Sequence, residues 1–249
     1  MAVDSALLAA APAREFGVWR TYAWTNPTVS FGRHESIRNR FSPESLEEAG
    51  LDAVRRPTGG RALLHDAEVT YSVTVPIGDR TPWKAVYASV NRILLAALRS
   101  LGVDAELVRE SATPTVRPDG PLCFEQPSPG EIVVKGAKIS GSAVWRERGA
   151  YLQHGSILLH DGQQRLREAM VPGLMAAPIP PAASLSSSLP VTPTWDAVAS
   201  ALESALREAV ADRHSPGDIV TADEVFLTDA ALTASQEERF RDATLLWRR

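Results

Sequence analysis

The chain has 249 residues, of which 44% are hydrophobic and 22% charged, and these proportions are typical of a folded globular protein. Its formal net charge of -4 argues against nucleic acid as the partner, because domains that bind nucleic acid are normally basic. No apolar run reaches about 18 residues and the N-terminus lacks an export signal, so we expect a cytoplasmic protein without a membrane partner.

The first third of the chain predicts three strands and two short helices. Aromatic and β-branched residues, or strict apolar alternation, mark the strands, which lie at residues 17–24, 28–31 and 69–75. Residues 1–13 are small and helix-forming. A second short helix begins at Ser42, whose side chain can accept hydrogen bonds from the first helical amides, and it ends at Gly50.

The middle of the chain predicts one long helix, a loop and three strands. Apolar residues recur every three or four positions from Thr81 to Gly102, which predicts an amphipathic helix. Residues 111–130 contain five prolines and are predicted to form a loop. Three apolar or alternating runs between glycines then predict consecutive antiparallel strands, at residues 131–135, 138–146 and 150–159.

Adjacent strand runs with separate helices favour an α+β fold, with a mostly antiparallel mixed sheet flanked by helices, over a doubly wound parallel sheet. No internal repeat is present, and we interpret residues 1–249 as one domain. Residues 171–193 are rich in Pro, Ala and Ser and predict an extended linker. A helical C-terminal segment is predicted at residues 194–249, beginning with Thr194 as its N-cap.

The first candidate site motif covers residues 55–66 and has the sequence RRPTGGRALLHD. Gly59 and Gly60 would allow the backbone to approach a ligand closely, with amides free to face an anion or a carbonyl. Arg56 could hold a carboxylate or a phosphate through two parallel hydrogen bonds. From the spacing alone, a hairpin turn flanked by solvated charges is the more common structure.

Two further motifs lie on predicted strands. Residues 135–143 have the sequence KGAKISGSA, in which Lys138 could polarise an acyl carbonyl or balance a phosphate. An edge strand protected by a lysine is an equally good interpretation. Residues 152–159 have the sequence LQHGSILL, in which His154 precedes Gly155 and could contact a ligand, although a histidine bonded to backbone in the core is more usual.

Cys123, the single cysteine, lies in the proline-rich loop and can form no intrachain disulfide. A free cysteine is usually a buried apolar side chain, and only about 3% of an ordinary thiol is ionised at pH 7, so a nucleophilic Cys123 would need a cation such as Lys138. Triads built on His65-Asp66, or on His154 with Cys123, stay open, because triads are recognised by geometry. Scattered histidines and one cysteine predict no metal site.

Taken together and in this order, the motifs resemble those of the biotin/lipoate protein ligase superfamily over about residues 1–160. RRPTGGRALLHD is similar to the signature loop of lipoate-protein ligases and octanoyltransferases, and the two strand motifs are similar to the lysine strand and the strand after it. Residues 123–131 match the pattern Cys-Phe-x-x-Pro-Ser-x-x-Glu of the cysteine-dependent octanoyltransferase and amidotransferase branch. Residues 65–69 are HDAEV, where ATP-dependent ligases usually have His-Asp-x-Gly-Asn.

The resemblance implies the fold of the biotin/lipoate ligase catalytic domain and an acyltransferase without a cofactor. The expected reaction moves an octanoyl group from an acyl carrier protein to a lysine of a lipoyl domain, such as glycine cleavage H protein or a 2-oxoacid dehydrogenase E2. Three alternatives stay open. They are a lipoate-protein ligase that uses ATP and Mg, an octanoyl or lipoyl amidotransferase between lipoyl domains, and an inactive protein that only docks a lipoyl domain or carrier protein.

The resemblance also implies the roles of particular residues. Cys123 is expected to accept the acyl group as the nucleophile, and Lys138 to stabilise the oxyanion that develops on the carbonyl. Eight residues are expected to bind the substrate: Arg56, Thr58, Gly59, Gly60, His65, Gly141, His154 and Gly155. Family members usually have a strand before the segment that matches residues 1–7, so either the natural start lies upstream or one edge strand is missing.

Basic residues cluster in sequence around the two glycine motifs. We expect them to give the mouth of the pocket a positive surface that attracts acidic carrier proteins. The cluster consists of Arg55, Arg56, Arg61, Lys135, Lys138, Arg146 and Arg148.

Overall fold

The computed structural model describes residues 1–37, 39–78, 82–108, 124, 127–147, 149–171, 181–211 and 230–247. Nine strands are assigned within these ranges. They are β1 (Val18–Tyr22), β2 (Thr28–Phe31), β3 (Asp52–Arg55), β4 (Leu63–His65), β5 (Glu68–Pro76), β6 (Glu106–Leu107), β7 (Ile132–Val134), β8 (Ala137–Glu147) and β9 (Ala150–Leu158).

Eight α-helices are assigned within the same described ranges. They are α1 (Ala2–Ala10), α2 (Pro43–Glu48), α3 (Trp83–Ser100), α4 (Gln164–Glu168), α5 (Leu185–Ser188), α6 (Trp195–Ala211), α7 (Ala230–Arg241) and α8 (Ala243–Trp247). A short 3-10 helix, Ala11–Ala13, continues α1.

The strands form two sheets. The larger sheet has six strands in the order β1-β5-β9-β8-β7-β6, and every neighbouring pair is antiparallel. The smaller sheet has the order β3-β2-β4, in which β3 is parallel and β4 antiparallel to β2. The predicted α+β fold with a mostly antiparallel sheet flanked by helices is therefore confirmed.

The two faces of the large sheet are covered by different helices. Ile157 of β9 belongs to the main core, which includes buried residues of α3 and α6. Leu152 of the same strand instead packs with Leu8 and Ala11 at the α1 end of the chain. Residues five apart on a strand point to opposite faces, so α1 lies on the face opposite α3 and α6.

Local sequence signals account for several element boundaries. The Ser42 hydroxyl accepts a hydrogen bond from the Ser45 amide at 3.1 Å and caps α2, as predicted, and Gly50 after the helix has a φ of 65°. Lys135 and Gly136 have φ values of 50° and 80° in the two-residue turn between β7 and β8. Positive φ at both positions defines the type of turn that matches the twist of an antiparallel hairpin.

Candidate active site

The first motif spans the end of β3, the following loop and β4, and its two glycines have different surroundings. Gly60 has a φ of 95°, a conformation that side chains other than glycine rarely adopt. A Cβ added to Gly32 would overlap the Gly60 carbonyl, so the loop lies directly against the segment after β2. Gly59 has no atom within 4 Å of where a Cβ would lie, and it is partly exposed. Of the two loop glycines, Gly59 therefore borders open space.

Arg56 holds this loop together from inside the protein. Its guanidinium donates to the carbonyl oxygens of Gly59 at 3.1 Å, Ser30 at 2.8 Å and Arg61 at 2.8 Å. Arg55 donates in the same way to the carbonyl of Gly32 at 2.6 Å. Binding of substrate by Arg56 stays a prediction, since every bond above is made within the loop and its neighbours.

The prediction of a positive surface at the mouth of the pocket is wrong for four of the seven basic residues. These four residues are at most 7% exposed, so their charges are removed from the surface: Arg55, Arg56, Arg61 and Lys138. Carbonyl groups surround the guanidinium groups of Arg55 and Arg56, and the Glu131 carboxylate pairs with Lys138. Lys135 and Arg146 are exposed, and Arg148 lies outside the described residues. A sequence shows the charges of arginines but not the carbonyl groups that converge on them after folding.

His154 lies in a chain of buried hydrogen bonds that reaches the same loop. Its Nε2 is 2.6 Å from the Thr58 hydroxyl, and its Nδ1 is 3.3 Å from a carboxylate oxygen of Asp4. Asp4 also accepts from Arg20 at 2.5 Å and from Tyr22 at 3.1 Å. His154 and Thr58, both expected to bind substrate, are thus in direct contact with each other. Their contact with a ligand stays a prediction.

The pKa shifts of the two ionisable groups in this chain of hydrogen bonds show which atoms carry the protons. Burial lowers the pKa of His154, so the imidazole is neutral at pH 7. Burial alone would raise the pKa of Asp4, but its hydrogen bond with His154 and nearby positive charges outweigh burial and hold that pKa well below its usual range. A neutral ring that donates from Nδ1 to the Asp4 carboxylate must accept at Nε2. The Thr58 hydroxyl is therefore the donor in the 2.6 Å bond.

These pKa shifts predict a loss of stability in mild acid. The folded state keeps His154 neutral, whereas this histidine takes up a proton in the unfolded chain below about pH 6.5. The free energy of unfolding therefore decreases as the pH is lowered. The slope contributed by one such histidine approaches 1.4 kcal/mol per pH unit, roughly, below the unfolded pKa. Chemical denaturation of wild type and His154→Gln between pH 7 and pH 5 measures this slope. His154→Gln should lose less stability over this range, with His160→Gln as the exposed control.

His65 belongs to a separate buried network. Its ring lies 2.7 Å from the Glu68 carboxylate and 2.7 Å from the Ser30 hydroxyl, and it stacks on Trp24 with centroids 4.3 Å apart. Asp66 instead pairs with Arg165 at 2.7 Å on the surface. A triad built on His65-Asp66 is therefore wrong. The role of His65 in substrate binding stays a prediction.

Lys138 lies on β8 with its ammonium buried. Its Nζ is 2.7 Å from Glu131 Oε1 and 5.3 Å from the centroid of the Phe124 ring. A Cβ on Gly141 would lie 2.9 Å from Lys138 Cε and 3.4 Å from the Phe124 ring. The lysine therefore lies in a corner formed by Glu131, Phe124 and Gly141, and it is not a solvated edge-strand lysine.

A β-bulge turns Lys138 towards this corner. Ile132 pairs with Ser140, whereas the next residue, Val133, pairs with Lys138, so Ile139 is the extra residue on β8. Bulges of this kind redirect side chains and occur often next to active sites. With strict alternation, Lys138 and Gly141 would point to opposite faces, and the extra residue brings them to the same one.

Phe124 is the described residue nearest in sequence to the predicted nucleophile. It packs with Leu63 of β4 and Leu158 of β9 while its ring faces Lys138. Cys123 itself lies outside the described residues, so its expected proximity to Lys138 stays a prediction. Phe124, the next residue in the chain, nevertheless contacts both Lys138 of β8 and Leu63 of β4.

Two carboxylates of these networks were missed by the sequence interpretation. Asp4 is the partner of His154, and Glu68 is the partner of His65. Each had a weak signal, since Asp4 is the one charge in the apolar segment MAVDSALLAA, and Glu68 stands on the polar side of an alternating strand. Glu131 lay inside the recognised cysteine motif without an assigned role.

The described ranges also bear on metal binding and on membrane insertion. No group of three or more His, Cys, Asp or Glu side chains in them is arranged to hold a metal ion. None of the helices assigned there is both long and apolar enough to cross a membrane.

Known proteins resemble this chain in sequence and in fold. Residues 1–207 match the family model described as the lipoyl protein ligase A/B catalytic domain. An octanoyltransferase LipM from Kyrpidia tusciae is 43% identical over 166 residues, which are 64% of this chain and 61% of the relative. One from Anoxybacillus flavithermus is 42% identical over 149 residues, which are 57% of this chain and 53% of the relative. The matches thus span between half and two thirds of these relatives.

Several solved structures have a fold similar to that of this chain. P. falciparum LipL1 in complex with lipoate aligns with a TM-score of 0.75 at 17% identity, covering 100% of this chain and 70% of that one. A bipartite lipoate protein ligase from Thermoplasma acidophilum, analysed with its E2 lipoyl domain, aligns with a TM-score of 0.71 at 20% identity, covering 99% and 89%. The family match over residues 1–207 shows that the chain belongs to the lipoyl protein ligase A/B catalytic domain family.

Proposed function

We propose that this protein transfers an octanoyl group from an acyl carrier protein to a lysine of a lipoyl domain, with Cys123 as the covalent carrier. The observation that supports this most is the corner around Lys138. There, a buried ammonium faces the ring of Phe124, the residue that follows Cys123 in the chain. The naming of the LipM relatives as octanoyltransferases, at 42–43% identity, supports the same reaction.

The first half-reaction forms an acyl-enzyme. The Cys123 thiolate attacks the carbonyl carbon of the donor thioester, and the carrier's thiolate leaves and takes up a proton. A cation near a cysteine favours its thiolate, and a preorganised donor stabilises negative charge on the carbonyl oxygen. Lys138 can fill both roles because its ammonium is buried, where charge interactions are stronger than in water.

The second half-reaction releases the product. The neutral amine of the acceptor lysine attacks the enzyme thioester, an amide bond forms, and the Cys123 thiolate leaves. The proton that the amine loses passes to that thiolate or to solvent. Gly59 borders open space beside the loop, so a carbonyl could approach its backbone closely. Substrate binding by Thr58, Gly60, Gly141, His154 and Gly155 belongs to the same proposal.

The acyl chain provides binding energy and selects for length. Burying about six methylenes at about 0.8 kcal/mol each contributes about 5 kcal/mol. The lipoyl-domain acceptor is supported by the T. acidophilum relative, which was analysed together with its E2 lipoyl domain. The acyl-carrier-protein donor rests on the cysteine motif at residues 123–131.

A lipoate-protein ligase is the second candidate, because structures of similar fold are named as ligases, and one has a TM-score of 0.74 with ATP bound. A ligase starts from a free acid and therefore needs ATP, whereas a transferase starts from a thioester and needs none. Transfer between two lipoyl domains is the third candidate and differs only in the donor.

Mass spectrometry of the acceptor separates these candidates. Enzyme, octanoyl carrier protein and apo lipoyl domain are mixed without nucleotide, and we expect the acceptor to gain one octanoyl group. Transfer from an octanoylated H protein but not from the carrier protein would identify an amidotransferase. Product that forms only from free lipoate and ATP would identify a ligase and contradict the proposal.

A further inference from the structure

Glu131 uses its two carboxylate oxygens for two different partners. Oε1 lies 2.7 Å from Lys138 Nζ, and Oε2 accepts a hydrogen bond from the backbone amide of Ser128 at 2.7 Å. Glu131 is 5% exposed and Lys138 is 3% exposed. The carboxylate therefore joins the lysine strand to the segment that follows Phe124, out of contact with bulk water.

The backbone around Glu131 fixes the position of this carboxylate. The Glu131 amide donates to the Ser128 carbonyl at 3.0 Å, and the Glu131 carbonyl accepts from Val108 at 2.8 Å. Asn91 of α3 holds the preceding residue through a hydrogen bond of 2.9 Å to the Gly130 carbonyl. A side chain whose main chain is tied at three points can hold its partner in one place.

The lysine is constrained from the opposite side as well. The bulge at Ile139 directs Lys138 towards Gly141, where a side chain would contact Cε at 2.9 Å, and the Phe124 ring closes the corner. Bulge, glycine and ring limit where the stem can lie, but only Glu131 among these neighbours carries a charge opposite to that of the ammonium.

We propose that Glu131 is a positioning residue for acyl transfer, which acts by holding the Lys138 ammonium and tying it to Ser128, in the part of the chain that follows Phe124. This inference rests on the proposed function, in which Lys138 stabilises the oxyanion. Both carboxylate oxygens are needed. A glutamine has one acceptor and one donor, so it must lose one of the two bonds and turn its NH2 group towards another donor.

The sharpest test is Glu131→Gln, which keeps the size of the side chain. Burst-phase mass spectrometry with octanoyl carrier protein measures formation of the acyl-enzyme. We expect the rate constant to fall about 10- to 100-fold, the effect of losing a hydrogen bond to a charged group, while KM for the donor changes less than about threefold. Glu203→Gln, which breaks an exposed pair with Arg207 at 2.7 Å on α6, is the matched control and should act as wild type.

A double variant separates positioning from a merely structural effect. If Glu131 acts through Lys138, then Glu131→Gln should cause no further loss in a Lys138→Ala background. Equal losses in both backgrounds, or a normal rate for Glu131→Gln alone, would overturn the inference. A wild-type rate for Lys138→Ala would instead contradict the lysine's role in the proposed function, which distinguishes the two failures.

Glu131→Asp keeps the inference testable if the glutamine variant does not fold. The aspartate retains the charge, but its stem is shorter by one methylene, so it cannot reach both Lys138 and Ser128 at 2.7 Å. We expect a folded protein with an intermediate loss of rate and an unchanged KM. A wild-type rate for this variant would contradict the need for both contacts.

Discussion

Cys123→Ser is expected to abolish both octanoyl transfer and the covalent acyl-enzyme while leaving the fold intact. Serine is nearly the same size as cysteine, but its hydroxyl needs a dedicated base to become a nucleophile at neutral pH. The two candidate histidines are already engaged. His65 bonds Ser30 and Glu68, and His154 bonds Thr58 and Asp4. We expect a loss of at least about 10³-fold in the rate of transfer.

The measurement is the same assay with octanoyl carrier protein and apo lipoyl domain, without nucleotide. Intact-protein mass spectrometry should show one octanoyl group on wild type and none on Cys123→Ser, and circular dichroism should give the same unfolding midpoint for both. Product formation by the serine variant near the wild-type rate would refute the covalent mechanism.

Gly155→Ala is expected to destabilise the fold by about 3 kcal/mol, the upper end of the usual cost of forcing extra atoms into a packed interior. A Cβ at this position of β9 would overlap the Gly141 carbonyl of β8 and lie 2.9 Å from the Tyr71 hydroxyl. Tyr71 cannot move aside freely, because its hydroxyl is bonded to Ser142 at 2.6 Å and to Gln153 at 3.1 Å. The added methyl group would therefore overlap the β8 backbone on one side and a hydrogen-bonded, buried tyrosine on the other.

Gly59→Ala is the matched control for this prediction. No atom lies within 4 Å of its Cβ position, so the free energy of unfolding in urea should change by less than about 1 kcal/mol. If the loop binds the acyl carbonyl, the same variant should still lower transfer, because the methyl group enters the space of the ligand. Equal unfolding midpoints for Gly155→Ala and wild type would contradict the close approach of β8 and β9.

Residue types and local periodicity were sufficient for most of the elements. Alternation predicted β5 and β9, the apolar stripe predicted α3, and the Ser42 cap predicted the start of α2. Glycine motifs in the right order identified the family, since they encode a loop and two strands that the fold places next to each other. These features depend on interactions between residues close in the chain, and such interactions are visible in a sequence.

The assignment of strands to sheets was not visible in the sequence. β1 and β2 are close neighbours in the chain, yet β1 pairs with β5 in the large sheet and β2 pairs with β3 and β4 in the small one. Pairing depends on which distant strand offers a matching register. The parallel pair β2 and β3 is different, because these strands are consecutive and α2 supplies the crossover connection between them.

The sequence by itself determined the α+β class, the position of the glycine loop and the choice of Lys138 as a candidate site residue. Only the tertiary structure decided how these groups are charged and aimed. Asp4 meets His154 from 150 positions away, carbonyl groups converge on Arg56, and an extra residue on β8 turns Lys138 towards Glu131. The reason is that desolvation and hydrogen bonding depend on what surrounds a group in space, and that surrounding is assembled from distant parts of the chain.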